Sequence, residues 1–345
     1  MSHDSDLVTL FKEVAPAIGA TLKLEPSYQR SGMLEFRNGS VLFFRNNHLN
    51  VNVASNARMA SDKSFLSFFL AGMGFRVLPE ITVSRYDVDQ GAIEPLKLEK
   101  ILQFAAQNSW RTIVKPNALS QGRGIRVTAD RQQLLSAISD TLAIDRVCIA
   151  QQYCTMPEYR LIVLEGSILQ AYRRQPMTVI GDGSSTIGEL VKRKVEVLSR
   201  DRGEDVNPGS FPAAMRTLAS GGRSMINIAC TGEEIVVADT ANLSAGGEAI
   251  DVMHLLHPHW NALAVNLAKR CGLLLCGVDI FIEDISDGNS DYRVIELNSA
   301  PGLDDYLLQG EAQKMRVSAL YQKVLETAAA AMSVSAASQR VNDAQ

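Results

Sequence analysis

Apolar positions recur along the first 60 residues in two different periods. Between residues 6 and 19, Leu7, Leu10, Phe11 and Val14 fall at helical spacing. Residues 33–36, 41–44 and 49–53 instead alternate or run apolar, as strands do, and Asn38-Gly39 marks a hairpin turn between the first two. Residues 1–60 therefore read as a small α/β unit. Ser61 is placed to cap a helix reaching Leu70, which Gly72 and Gly74 close. Strands are predicted over 112–114, 147–153, 159–164 and 167–172, with Glu165-Gly166 as a tight turn between the last two. From 201 to 222 the period fades and Gly, Pro and Ser accumulate, which predicts a covering loop. Strands return at 234–238, 277–282 and 292–297. A helix is predicted over 258–271, with Pro258 in its first turn and Gly272 beyond its end. After Ala328 the chain is small and polar and is expected to fray.

Composition sets outer bounds on this pattern. A chain of 345 residues suggests two domains at roughly 150 residues each and is long enough to bury a full core. Its 34 Lys and Arg face 38 Asp and Glu, for a net charge of -4, which excludes a generally basic nucleic-acid binder. No apolar run approaches the ~20 residues of a membrane span, and the acidic N-terminus has no signal-peptide pattern. Five cysteines without a Cys-x-x-Cys pair argue against a disulfide framework or zinc ribbon, so packing roles and a cytoplasmic setting are expected.

Two predicted strands carry charge where charge is costly. Gly277-Val-Asp279-Ile-Phe-Ile and Val294-Ile-Glu296-Leu-Asn298-Ser-Ala-Pro301-Gly302 each hold one acidic residue inside an apolar run. A divalent cation would offset the desolvation, and hard oxygen donors suit Mg²⁺. An ion pair with Lys or Arg, or a strand end reaching solvent, would offset it too. Alternation puts Glu296 and Asn298 on one face, so Asp279, Glu296 and Asn298 form a candidate donor set. Upstream, a strand ends in Lys115-Pro116 and is followed by Ser120-Gln121-Gly122-Arg123-Gly124. Glycines let backbone N–H groups approach an anion, and the lysine adds a point charge. The loop is neither a Walker A loop nor a dinucleotide fingerprint. His254-x-x-His257-Pro-His259 lacks a nearby Cys or a His-Glu-x-x-His helix, so surface or substrate-side histidines are expected there rather than zinc ligands.

The order of these features is more informative than any one of them. Lys115-Pro, the Gln121-Gly-Arg-Gly loop, a strand ending Gln151-Gln-Tyr153, and Asp279…Glu296-x-Asn298 together resemble the ATP-grasp superfamily of carboxylate–amine ligases. Arg174-x-Pro176-x-x-Val-x-Gly181-Asp182-Gly183-x-x-Thr186-Ile-x-Glu-Leu190 is similar to a segment of cyanophycin synthetases. Asn242-Leu-Ser-Ala-Gly246-Gly247-x-Ala-Ile-Asp251 resembles the same enzymes and the ATP-grasp half of bifunctional glutathione synthetases. The resemblance implies an α/β (α+β) ATP-grasp fold. Two α/β lobes would grip ATP over residues 61–328, after a reduced N-terminal unit at 1–60 and before a flexible tail at 329–345. It implies that Lys63 and Lys115 contact the ATP phosphates, and that Ser120, Gln121, Gly122 and Gly124 form the lid over them. Gln151 and Tyr153 would flank the adenine, and Glu158 would bind the ribose. Asp279, Glu296 and Asn298 match the ligands of two Mg²⁺ ions, which Mn²⁺ can replace. Arg174 and Asn242 match catalytic positions near the transferred phosphate and the acceptor carboxylate. Most relatives carry Glu where this chain has Gln151. Its amide oxygen still accepts from the adenine amino group, but without charge assistance, so Gln151→Glu is expected to tighten ATP binding.

The activity so implied is amide or peptide bond formation. A carboxylate attacks the γ-phosphorus to give an acyl phosphate and ADP, and an amine then displaces phosphate. Such chemistry is mostly positioning and charge neutralisation, with closing loops to exclude water. Two other readings share the grasp: a small-molecule kinase, and a nucleotide-binding maturation or regulatory protein without ligase activity. The intact Lys115 and Asp279/Glu296/Asn298 set argues against the last, and the Asn242 segment favours a ligase over a kinase. The expected partners are a small-molecule carboxylate and an amine, probed first among amino acids and short peptides, with no nucleic acid and no membrane. A homodimer is compatible with this reading. A chain of this length is expected to lack the second domain of cyanophycin synthetase and the glutamate–cysteine ligase half of the glutathione enzymes, so neither substrate carries over.

Overall fold

The computed structural model describes residues 6–342, apart from 50, 90, 121, 203–214, 216–217, 219–220, 239, 244–245 and 308. Among the described residues, three larger antiparallel sheets and two short ribbons organise the chain. Helix α1 (Asp6–Ala17) turns Leu7, Leu10, Phe11 and Val14 inward, as their spacing predicts. It packs on the sheet β1 (Ala20–Leu24), β2 (Ser31–Phe36), β3 (Val41–Arg45) and β4 (His48–Leu49), in that order. The strand expected at 49–53 ends at Leu49, and the chain bends into a helix the periodicity does not show, α2 (Ala54–Ser61), which buries only Ala60. Ser61 closes that helix. Asp62 caps the next, α3 (Lys63–Gly72), by accepting from the Phe65 N–H at 2.9 Å.

The small lobe follows: β5 (Glu80–Ser84), the ribbon β6 (Val88–Asp89) and β7 (Ala92–Ile93), α4 (Pro95–Gln107), β8 (Thr112–Pro116), β9 (Arg126–Thr128), α5 (Arg131–Ile144) and β10 (Val147–Gln152). The sheet runs β5-β10-β8-β9. Its core face joins Val83, Val114 and Cys148 to Ile101 and Ala105 of α4 and to Leu134 and Ile138 of α5. Strand alternation sends Glu80, Lys115 and Gln151 to the opposite face.

The large lobe is the sheet β15-β12-β11-β16-β17. It comprises β11 (Glu158–Leu164), β12 (Ser167–Gln175), β15 (Glu248–Asp251), β16 (Leu275–Ile282) and β17 (Tyr292–Asn298). Between β12 and β15 lies an excursion of β13 (Thr178–Ile180), α6 (Ile187–Arg202) and β14 (Glu234–Val236), with a small core of its own around Met177, Ile187, Val191 and Leu218. The covering loop expected at 201–222 lies mostly outside the described residues. One face of the large sheet packs Leu161, Val163, Val278 and Ile280 against Leu66 and Leu70 of α3 and Trp260 and Leu267 of α7 (Pro258–Arg270). Each such side chain contributes about 1.5–3 kcal/mol on burial. The other face is divided along its length. Ile162, Leu164, Tyr172 and Leu275 share one core with the N-terminal unit, with α8 (Asp304–Leu307) through Tyr306, and with α9 (Glu311–Asn342). Beyond them the same face carries charge. Helix α9 continues past Ala328 to Asn342, where the sequence suggests fraying; its Ala-rich composition favours helix. No helix among the described residues is long and apolar enough to cross a membrane.

Candidate active site

The charged half of the large sheet is built by register. Arg160 on β11 lies opposite Asp279 on β16, and Asp279 lies opposite Glu296 on β17. The β16–β17 pairing slips by one residue beside Asp279, so the extra residue of β17 lets Val294 and Leu297 face the core while Glu296 and Asn298 face the site. Arg160 grips Asp279 with both arms, Nε to Oδ1 and Nη2 to Oδ2, each at 2.6 Å. Arg174 donates from Nη1 to Glu158 at 2.7 Å and to Asp279 at 3.1 Å. Asn298 spans the carboxylates, its amide donating to Asp279 at 3.3 Å and to Glu296 at 3.2 Å. Of the alternatives left open by the sequence, the ion pair is present at Asp279, which also lies beside Asn298 and opposite Glu296.

Lysines enter from the opposite side. Lys63, at the first turn of α3, lies 3.3 Å from Glu296 and donates to the Leu119 carbonyl at 2.8 Å. Lys115, buried at the end of β8, donates to the Gln151 side-chain oxygen at 2.8 Å. The Gln151 amide nitrogen donates in turn to Glu80 at 2.8 Å. Burial pushes the Glu158 carboxyl up against the pull of Arg174, and it pushes the Lys115 ammonium down against Glu296 and Glu80. At Glu296 burial would raise the carboxyl too, but Lys63, Lys115, Arg160 and Arg174 together outweigh it and hold the group at about 2. Glu296 therefore stays ionised at any working pH. Two carboxylates and an amide on neighbouring strands, buried and within reach of one another, fit a hard cation such as Mg²⁺.

The lid residues are placed less uniformly. Ser120 is exposed, and Gly122 and Gly124 both adopt left-handed backbone (φ +68° and +76°). A Cβ at Gly122 would come within 2.9 Å of the Asn242 side-chain nitrogen, and its left-handed backbone would strain any side chain, so glycine suits this approach to the Asn242 segment. Gln121 lies outside the described residues. Tyr153 stands apart from the ion cluster, with the Arg111 guanidinium 4.0 Å above its ring. The structure thus gathers Lys63, Lys115, Gln151, Glu158, Arg174, Asp279, Glu296 and Asn298, with Asn242 against the lid at Gly122. His257 caps α7 by accepting from the His259 N–H at 3.1 Å, and no three His, Cys, Asp or Glu among the described residues form a metal group. Of the cysteines, Cys148 and Cys276 are buried, whereas Cys230 is exposed rather than packed.

Three participants escape the sequence reading. Arg160 is a charge inside the apolar run of β11, two residues after Glu158, the same signal that marks Asp279. Glu80 begins a strand the periodicity does not show. Asn52 of the N-terminal unit accepts from the N–H groups of Leu274 and Leu275 at 2.7 and 3.2 Å, and donates to the carbonyls of Leu275 and Ser299 at 2.8 Å each. It thereby ties the start of β16 to the end of β17, the two strands that carry the oxygen donors.

Residues 87–159 match the tubulin-tyrosine ligase family. The chain is 30% identical over 203 residues to the bifunctional glutathione biosynthesis protein of Clostridium perfringens, a match covering 56% of this chain and 26% of that protein. It is 31% identical over 219 residues to the cyanophycin synthetase of Geminocystis herdmanii, covering 60% of this chain and 25% of that enzyme. These matches thus span about a quarter of either curated relative. The crystal structure of a bifunctional glutathione synthetase from Pasteurella multocida superposes with a TM-score of 0.58 at 21% identity, covering 93% of this chain and 44% of that one. Two antiparallel lobes with their charged faces turned to one cleft, together with this superposition, show that the chain has an ATP-grasp fold.

Proposed function

We propose that the chain is an ATP-dependent carboxylate–amine ligase that forms an amide or peptide bond through an acyl phosphate and releases ADP and phosphate. The observation that carries this reading is the cleft itself, where Lys63, Lys115, Arg160 and Arg174 interleave with Glu80, Glu158, Asp279 and Glu296. Four cations matched by four carboxylates leave no positive charge to spare for a triphosphate. Asp279, Glu296 and Asn298 would hold Mg²⁺, one ion or two, which supplies neutralisation at the phosphates when bound. Lys63 and Lys115 then face the phosphates from the small-lobe side, and Gln151 lies toward the base. Glu158 orients Arg174, whose Nε is buried and has no partner among the described residues. That open donor suits the oxygen developing charge on the phosphoryl group or the attacking carboxylate. Gly122 and Asn242 close over the reacting atoms and exclude water, which protects the acyl phosphate from hydrolysis. The amine attacks its carbonyl carbon, and phosphate leaves.

Amino acids and short peptides are the substrate class to screen. Purified protein with ATP and Mg²⁺ should release ADP only when a carboxylic acid and an amine are both present. ADP release with one substrate, accompanied by a stable phosphorylated product, would make it a kinase. ATP binding without ADP release against every pair would favour a regulatory role.

A further inference from the structure

The carboxylate missing from position 151 has a counterpart one strand away. Glu80 lies directly opposite Gln151 in the antiparallel register of β5 and β10, and Lys115 lies diagonally across on β8, on the same face. Gln151 is 4% exposed and Lys115 5%. An ammonium can only donate and an ionised carboxylate can only accept. The end of the Gln151 amide that meets Lys115 at 2.8 Å must therefore be its oxygen, and the end that meets Glu80 at 2.8 Å must be its nitrogen. The two neighbours settle the amide's orientation by chemistry alone. Glu80 lies on the edge strand of the small sheet, within reach of the Ser67 side chain of α3.

We propose that Glu80 is a specificity-determining positioning residue, which locks the Gln151 carboxamide with its oxygen toward the nucleotide and so selects a base that presents an amino group over one that presents a carbonyl. The proposal rests on the reading that Gln151 faces the nucleobase. Gln151 supplies the acceptor that a carboxylate supplies elsewhere, and Glu80 supplies both the negative charge for Lys115 and the constraint that keeps the acceptor in place. Once Lys115 turns from Gln151 to the phosphates, Glu80 alone fixes the amide; without it the amide is free to rotate, and its nitrogen can serve a base carbonyl equally well.

ATP and ITP differ at that group, amino against carbonyl, and at the adjoining ring nitrogen, acceptor against N–H, which makes them the probes. Their Mg²⁺ complexes should be titrated into the full chain by calorimetry. The unmodified protein is expected to prefer ATP by about tenfold or more, the discrimination of one hydrogen bond made or left unpaired. Glu80→Gln should collapse that ratio toward one, since the introduced amide can turn either its oxygen or its nitrogen toward Gln151. The exchange variant Glu80→Gln/Gln151→Glu restores an acceptor-only group at position 151 and should restore the preference. It also provides the measurement if the single variant folds poorly. An ATP/ITP ratio in Glu80→Gln equal to that of the unmodified protein, with both affinities falling together, would overturn the proposal and leave the nucleotide reading standing. An exchange variant that binds both nucleotides without preference would overturn it equally. Binding of neither nucleotide by the unmodified protein would overturn the nucleotide reading, and this proposal with it.

Discussion

Arg160 and Asp279 form the most deeply buried ion pair in the cleft, and a double-mutant cycle on them tests whether the site is built as described. Their side chains are 11% and 2% exposed, and both guanidinium arms are engaged at 2.6 Å. Removing one partner of such a pair costs about 3–5 kcal/mol, chiefly because the other charge is left buried and alone. Arg160→Met belongs at the lower end, about 3 kcal/mol, because Arg174 at 3.1 Å and Asn298 at 3.3 Å still serve Asp279. Asp279→Leu belongs at the upper end, about 5 kcal/mol, since Arg160 then keeps neither of its two bonds. Replacing both charges by apolar groups removes the penalty along with the attraction. The double variant should therefore be no less stable than Asp279→Leu alone, a coupling of about 3 kcal/mol or more. Urea unfolding followed by tryptophan fluorescence reads this directly, because Trp260 is 1% exposed in the core behind the same sheet. Additive costs would sum to about 8 kcal/mol and leave the double variant largely unfolded. That result would refute the claim that these residues are held as a desolvated pair.

Two further outcomes follow from the same geometry. Asn52→Ala removes four hydrogen bonds to backbone groups of β16 and the β17 end, so stability should fall by about 2–4 kcal/mol. The Mg²⁺ concentration that half-saturates ADP release should rise, and an unchanged Mg²⁺ requirement would show that Asn52 does not position the oxygen donors. The second outcome concerns Glu296, whose carboxyl is held at about 2 in the folded chain, below its ordinary 4.5. A depressed folded value means stability that is fully present above the unfolded value and lost as pH falls through the folded one. The acid-induced loss attributable to this group, about 3 kcal/mol, should therefore fall between roughly pH 5 and 2. With EDTA present, Glu296→Gln should flatten the pH dependence of the unfolding free energy in that window. An equally steep profile would place the acid sensitivity elsewhere.

How far the site could be read from sequence depends on which physical signal each residue leaves. Asp279 and Glu296 interrupt apolar runs, and a charge inside a buried strand is conspicuous in one dimension. Arg160 interrupts β11 in the same way, and the reasoning applied to acids extends to it without change. Gly122 and Gly124 are legible as a loop able to approach an anion, but the approach of Gly122 to Asn242 is a contact across 120 positions that no local pattern encodes. Helix α1 and the hairpin at Asn38-Gly39 follow their periodicity because each is decided locally. Helix α2 leaves almost no apolar stripe, so nothing in its composition separates it from a loop. Asn52 left no signal either, since a polar residue in a short connection is ordinary until its four backbone partners are known.

Gln151 shows how a tertiary neighbour can reverse a conclusion drawn from one position. Taken alone, the amide looks like a weakened acceptor, and Gln151→Glu should strengthen adenine binding by restoring a charge. With Glu80 at 2.8 Å the same substitution places two carboxylates against one another beside a single lysine. Burial already raises the Glu80 carboxyl, against the pull of Lys115. A second acid there would have to take up a proton or force its neighbour to do so, the behaviour of like charges sharing one buried site. The charge that position 151 lacks is held by β5, and restoring it on β10 without removing it from β5 would overfill the site. Gln151→Glu alone should therefore weaken nucleotide binding, whereas the exchange of the two residues should not.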